Sequence, residues 1–287
     1  MVAKILVAAL GSLLIFPVAA APVTIFSTGD PDGKMATASR PESAGKFEIE
    51  SADDFVLSSP TLITGATFTG LLQNADIANV GEVRVEIYRV FPNDSDVGRT
   101  SGPPTFSTPQ VPTRVNSPSD VEFADRDTAG SSLTFTAESL GTFTVQNTVQ
   151  PGGIHPLPNV FTGGNGPVTG TEVEFTVDFA TPFFLPADHY FFVPQVEVTN
   201  AAGEFLWLSA PKPIVPPGTP FTPDLQTWTR DEFLAPDWLR VGTDISQQGP
   251  FNAAFSLIGE GAPEPDSLAL LGAALVAIVV AKRRNPI

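Results

Sequence analysis

The sequence predicts an all-β protein, an antiparallel β-sandwich with jelly-roll-like connectivity, and three observations carry that expectation. Apolar and polar residues alternate at period two in segment after segment between residues 61 and 177. No stretch between residues 21 and 258 sustains the i, i+3, i+4, i+7 spacing of an amphipathic helix. Gly, Pro, Asn and Asp separate the alternating segments into many short strands, as two packed antiparallel sheets require.

Taken in order, residues 61–72, 82–88, 133–136, 142–145 and 172–177 each present one dry and one wet face. Residues 190–198, 205–208 and 251–258 are apolar or β-branched enough to be central strands. Two proline-rich segments, 101–118 and 211–223, interrupt them, and proline withholds a ladder hydrogen bond, so neither is a central strand. Both are expected to be ordered loops pinned by Phe106 and Phe221, with an interdomain linker as the alternative. No repeat of solenoid or propeller period is present.

Composition removes several functions. The 287 residues contain no cysteine, which excludes a disulfide scaffold, a thiolate nucleophile and Cys-ligated zinc or iron–sulfur centres. A formal net charge of −16 argues against a nucleic-acid partner. With 42% hydrophobic and 16% charged residues, the chain is too apolar for a disordered protein.

The two ends read as addresses. Lys4, the apolar run 5–18 and the small residues Val18-Ala19-Ala20 have the order of an export signal, with cleavage by signal peptidase expected after Ala20. Near the other end, Pro263-Glu264-Pro265 precedes the apolar run 268–280, which Lys282-Arg283-Arg284 follows. As a helix, residues 267–281 would extend roughly 22 Å against a hydrocarbon core of about 30 Å, short for a permanent span. The basic cluster is the positive-inside flag that leaves the preceding domain outside the cytoplasm. This order of parts resembles the PEP-CTERM sorting signal of Gram-negative bacteria. The resemblance implies recognition by an exosortase, a membrane transpeptidase-like protease, in organisms that make extracellular polysaccharide, with membrane contact through the short helix before cleavage. The expected division is therefore a signal peptide at 1–20, a sandwich at 21–258 with a charge near −17, a linker at 259–262 and the sorting signal at 263–287.

Within the middle region, Ala52-Asp53-Asp54-Phe55-Val56-Leu57 followed by Ile63-Thr64-Gly65-Ala66-Thr67-Phe68-Thr69-Gly70 resembles the opening of many secreted bacterial sandwich domains, several of them galactose-binding-like jelly rolls. Leu185-Pro186-Ala187-Asp188-His189-Tyr190 is similar to their later turn and strand, with Asp188 where glycine is usual. The resemblance implies a fold more than an activity.

Candidate chemistry is sparse. The histidines are His155 and His189, and no nucleophile elbow, zinc-binding His-Glu-x-x-His or phosphate loop is present. A glycosidase needs only two facing carboxylates, which an acidic chain can supply. Asp30-Pro31-Asp32-Gly33 sets two carboxylates before a turn glycine, an arrangement by which loops wrap Ca2+, with Asp53 or Asp54 as further ligands; surface Asx turns are the alternative. If Asp32 holds calcium, Asp32→Ala is expected to abolish stabilisation by the ion and leave the calcium-free protein nearly unchanged. Trp207, inside an apolar run, reads as core, whereas Trp228 and Trp238 have charged and proline neighbours and are candidates for stacking on sugar rings. Thr-x-Thr triplets at 67–69, 134–136, 142–144 and 227–229 lack the regular period of an ice-binding array and read as threonines facing water beside an inward aromatic residue. The resulting expectation is a non-catalytic surface protein of the extracellular polysaccharide layer, with a carbohydrate-binding module and a glycoside-active enzyme as alternatives.

Overall fold

The alternating run at 61–72 becomes the central strand of a nine-stranded sheet. A computed structural model describes residues 23–43, 45–96, 111–154 and 161–261. The export segment, the sorting signal with Pro263, Glu264, Pro265, Lys282, Arg283 and Arg284, and also Phe106 and His155 lie outside the described residues. In chain order the strands are β1 (Val23–Ser27), β2 (Met35–Ala38), β3 (Ile49–Leu57), β4 (Thr61–Gln73), β5 (Val80–Arg89), β6 (Ala124–Asp127), β7 (Leu133–Val145), β8 (Asn147–Val149), β9 (Val168–Leu185), β10 (Asp188–Val198), β11 (Glu204–Ala210), β12 (Trp228–Asp231), β13 (Leu239–Arg240), β14 (Asn252–Ala253) and β15 (Phe255–Gly261). They form two sheets, antiparallel except for the β2–β8 pair.

In the larger sheet, one edge of β4 pairs with β9, which in turn pairs with β7. The other edge is shared: β15 takes residues 61–68 and β11 takes residues 70–73. A Cβ on Gly70 would lie 2.2 Å from the Phe205 ring, so glycine is what lets β4 and β11 meet at this junction. β1 flanks β15, while β2 and β8 extend the sheet beyond β11. The smaller sheet runs β13-β12-β3-β10-β5-β6.

The inward face of each strand makes the core between the sheets. Phe68 of β4, Phe175 of β9, Phe205 and Trp207 of β11 and Phe255 of β15 meet Phe55 of β3, Val85 of β5 and Phe192 of β10. Phe192 and Phe255 stack across the interface with centroids 4.8 Å apart, a contact worth about 0.5–1.5 kcal/mol beyond the area it buries. The assignment of Trp207 to the core is borne out.

Two further apolar clusters lie on the outer faces. Leu206 and Leu208 of β11 pack against Leu234, Leu239 and Ile245, and Phe191 and Val193 of β10 pack against Trp228 and Trp238. β10 and β11 are thus dry on both faces, as their unbroken apolar composition predicts.

Several expectations change in detail. Residues 133–136 and 142–145 are one strand, β7, with a bulge between Ser139 and Gly141; Gly141 takes φ +110°, which only glycine adopts readily. β15 continues to Gly261, through residues expected to be a linker. The wet face of β5 is not wholly wet, because Glu86 and Tyr88 are buried. Thr227 and Thr229 are buried as well, and so is Thr69 of Thr67-Phe68-Thr69, whereas Thr134 and Thr136 face water as expected. Phe221 pins the second proline-rich segment by packing edge-on against Phe26 at 5.4 Å. Among the described residues no helix is long and apolar enough to cross a membrane.

Candidate functional site

Residues 48–54, leading into and along β3, carry Glu48, Glu50, Asp53 and Asp54, and long-range pairing turns these carboxylates into two networks. Register places Arg230 of β12 opposite Glu50. The guanidinium engages both carboxylate oxygens, through Nε and through Nη2 at 2.9 Å, and Nη2 also donates to the Tyr88 hydroxyl at 2.9 Å. Tyr88 donates to Glu50 at 2.6 Å, and Glu86 lies 3.3 Å from the same hydroxyl. Trp238 covers the assembly, with the Arg230 guanidinium 4.3 Å above its ring.

The electrostatics of this group follow from burial. Desolvation first, and the Glu50 charge second, push the Glu86 carboxyl well above the usual carboxylate range. Burial and the Glu50 charge likewise push the Tyr88 phenol up. For Arg230 burial acts downward, but the Glu50 charge overrides it and the net shift is upward. The Tyr88 hydroxyl thus lies between the two carboxyl groups, bonded to Glu50 and within reach of Glu86, and accepts from Arg230. Two neighbouring carboxyl groups, one of them pushed upward by burial, are also what glycoside hydrolysis uses. Here, however, Glu50, Glu86 and Tyr88 are each no more than 6% exposed, and Arg230 already occupies the charged partner. The arrangement ties β12 to β3 and β5.

The second network fastens residues 211–227 to the sandwich. Asp53 accepts from the Thr227 hydroxyl at 3.2 Å and the Ala253 amide at 2.9 Å. Asp54 accepts from the Leu225 amide at 3.0 Å and faces His189 Nε2 at 2.7 Å. Lys212 pairs with Asp224 and reaches Asn252. Burial, then the neighbouring Asp54 charge, holds Asp53 well above its ordinary range, and burial raises Asp54 against the opposing pull of His189. A carboxylate on a histidine ring is also a part of catalytic triads, although there it bonds Nδ1 and here Asp54 faces Nε2. Among the described residues no hydroxyl is bonded to the other ring nitrogen, and the ring packs against Phe191 and Phe221.

The residues singled out in the sequence therefore separate. Asp30, Asp32, Asp53 and Asp54 do not come together as one ligand set, and no group of three acidic or histidine side chains suited to a metal is found among the described residues. Asp30 is exposed. Asp32 accepts from the buried Ser209 hydroxyl and from the Lys34 amide at 3.1 Å, and pairs with Lys34 Nζ at 3.2 Å. This revises the expectation for Asp32→Ala. Loss of these bonds is expected to cost about 1.5–3 kcal/mol without any calcium present, read as a lower melting temperature in chelator.

Trp228 and Trp238, the candidates for sugar stacking, are 1% and 0% exposed and offer no ring face to a ligand. Their polar neighbours are themselves buried: Arg230 is held by Glu50, and Asp237 by Arg114 at 2.7 Å. Arg114 escaped attention in the sequence, yet it is fully buried and bonds Asp120 at 2.6 Å, Asp237, and the Pro236 carbonyl at 3.0 Å. An isolated arginine in a proline-rich stretch carries no local sign of such partners.

Comparison with protein-family models, with curated proteins and with solved structures finds no match to this chain.

Proposed function

We propose that this chain is an exported surface protein sorted by an exosortase, and that its sandwich acts without catalysis in the extracellular polysaccharide layer. The observation that carries the reading is the order Pro263-Glu264-Pro265, apolar run, Lys282-Arg283-Arg284, set beside an export signal at 1–20. In this reading the protein crosses the inner membrane, is anchored briefly by the 268–280 segment, and is released to the outer surface once the exosortase cuts. Signal peptidase and exosortase are its processing partners, polysaccharide its surroundings, and a jelly roll its connectivity.

Two features of the sandwich support this. Val23 of β1 pairs with Gly259 of β15, so the chain enters and leaves the fold at the same end of one sheet, and both cuts would fall outside the ladders. The buried carboxylates of β3 are occupied by arginine, histidine and backbone amides, which suits a load-carrying domain better than a catalyst.

Intact-mass measurement on the protein recovered from its host tests the proposal. The expected species has lost residues 1–20 and ends near Pro263-Glu264-Pro265. A mature form that retains Lys282-Arg283-Arg284 overturns exosortase sorting and leaves a simple tail anchor.

A further inference from the structure

The outer face of the larger sheet bears a row of hydroxyls that no single segment reveals. Ser27 lies opposite Ser256, Ser256 opposite Thr67, Thr67 opposite Thr176, and Thr176 opposite Thr136, one residue from each of five adjacent strands. In the next row, Thr69 of β4 lies opposite Glu174 of β9. A groove of about 330 Å³ lies over Ser27, Ser256 and Thr67 of the first row and over the second row, between Leu140, at the β7 bulge, and Asp30. Its floor includes Thr67 and Thr69, and Glu172 and Glu174 of β9 also line it. That volume is at the small end of the range for ligand sites.

Two features distinguish the groove from an ordinary wet sheet face. Thr69 is 7% exposed, yet its side chain shares the outward face with Thr67 because Phe68 between them points into the core. Among the described residues its hydroxyl has no hydrogen-bond partner, so a donor and acceptor is left unspent at the bottom of the groove. The second feature is charge. Asp30, Glu172 and Glu174 line the groove with no lysine, arginine or histidine among its lining residues. Burial already pushes the Glu172 carboxyl above the usual range.

These features define a ligand. Among the described residues no trio of carboxylates is spaced for a metal ion. Uncompensated carboxylates repel an anionic glycan and attract an organic cation. The hydroxyl row offers paired donors and acceptors that a bare polyamine cannot use, while ring hydroxyls can. Leu140, 51% exposed at the rim, supplies an apolar wall for the C–H face of a sugar ring.

We propose that this groove binds an amino-sugar unit of a polysaccharide, with the ammonium group beside Glu172 and Glu174 and the ring hydroxyls on Thr67 and Thr69. The inference deepens the polysaccharide reading and rests on it for where the glycan is met. Sorting is read by mass and binding by titration, so the two fail separately.

The test is calorimetric titration of a glucosamine tetramer into the full chain in mild detergent at about pH 6, where the amines are charged. The N-acetylated tetramer, a galacturonate tetramer and spermidine serve as comparison ligands. The glucosamine tetramer is expected to bind at least about tenfold more tightly than each of the three. Glu172→Gln with Glu174→Gln should weaken it about tenfold or more, and Thr69→Val, which keeps shape and charge, about three- to tenfold. Glu232→Gln removes one exposed carboxylate outside the groove and should leave affinity unchanged. The proposal is overturned if the full chain does not bind the glucosamine tetramer. It is equally overturned if spermidine or the N-acetylated tetramer binds as well, if Thr69→Val is silent, or if Glu232→Gln costs as much as the groove variants.

Discussion

Replacing Arg114 by alanine is expected to destabilise the sandwich by about 3–5 kcal/mol, the cost of removing one partner from a buried ion pair. For a domain of this size that is a fall of roughly 6–20 °C in melting temperature. The side chain is fully buried and joins two loops that share no strand: it bonds Asp120 on its own side and Asp237 with the Pro236 carbonyl on the other. Its guanidinium also lies 4.7 Å over the Phe91 ring. Alanine removes the Arg114 bond from Asp237, which is 0% exposed, and empties the space above Phe91. Arg114→Lys keeps the charge but loses the planar fork that reaches several acceptors at once, so most of the loss should persist. Arg84 makes a useful contrast. Its side chain is 32% exposed among Glu48, Glu82 and Glu86, and Arg84→Ala should cost no more than about 1 kcal/mol. Denaturant melts of the three variants decide the matter, and an Arg114→Ala cost equal to that of Arg84→Ala would show the buried bonds to be unimportant.

The second large effect is a stability that falls as pH rises. Asp53, Asp54, Glu86 and Glu204 are buried carboxyls whose ranges all move upward, with desolvation as the leading cause in each. The Asp54 charge adds to the shift at Asp53 and Glu50 adds to that at Glu86, while His189 opposes it at Asp54 and Arg40 at Glu204. A carboxyl raised in the folded state retains a proton that the unfolded chain has released. Its contribution is complete below the ordinary carboxylate value, near pH 4, and is lost as pH climbs through the folded value. The excess of negative charge acts in the same direction. Melting temperature should therefore increase on the order of 5 °C between pH 8 and pH 5. Glu86→Gln isolates the cause, because an amide donates to the Tyr88 oxygen as a protonated carboxyl does. That variant should melt above the parent at pH 8 and converge with it at pH 5. A parent protein that is most stable at pH 8, or a glutamine variant weaker there, would contradict the assignment.

The legible part of this fold is its dry alternation. β4, β5 and β9 are evident in sequence because Phe68, Val85 and Phe175 recur every second residue and one face of each strand must leave water. β3 and β12 are harder to see. Ile49–Leu57 and Trp228–Asp231 carry charges on positions that prove buried, and a charge reads as solvent-facing until its partner is known. Glu50 finds Arg230 some 180 residues away, a distance over which local pattern holds no information. The same blindness misplaced Trp228 and Trp238 near the surface. Of the candidate sites, Asp30 and Thr67-Phe68-Thr69 were visible as separate motifs, but their meeting in one groove depends on β4–β9 register and on a bulge in β7.

The shared edge of β4 also has a consequence in time. Half of that edge is closed by β15, the last of the described strands, which in turn holds β1, the first. A ribosome adding 5–20 residues per second needs roughly 10–35 s to progress from the end of β4 to the start of β15. Throughout that interval the central strand has an open edge and the sandwich cannot close. Until then the topology delays collapse of the chain into the native form. Its vulnerability to proteases and to self-association is greatest in the same window, and ends when residues 255–261 dock.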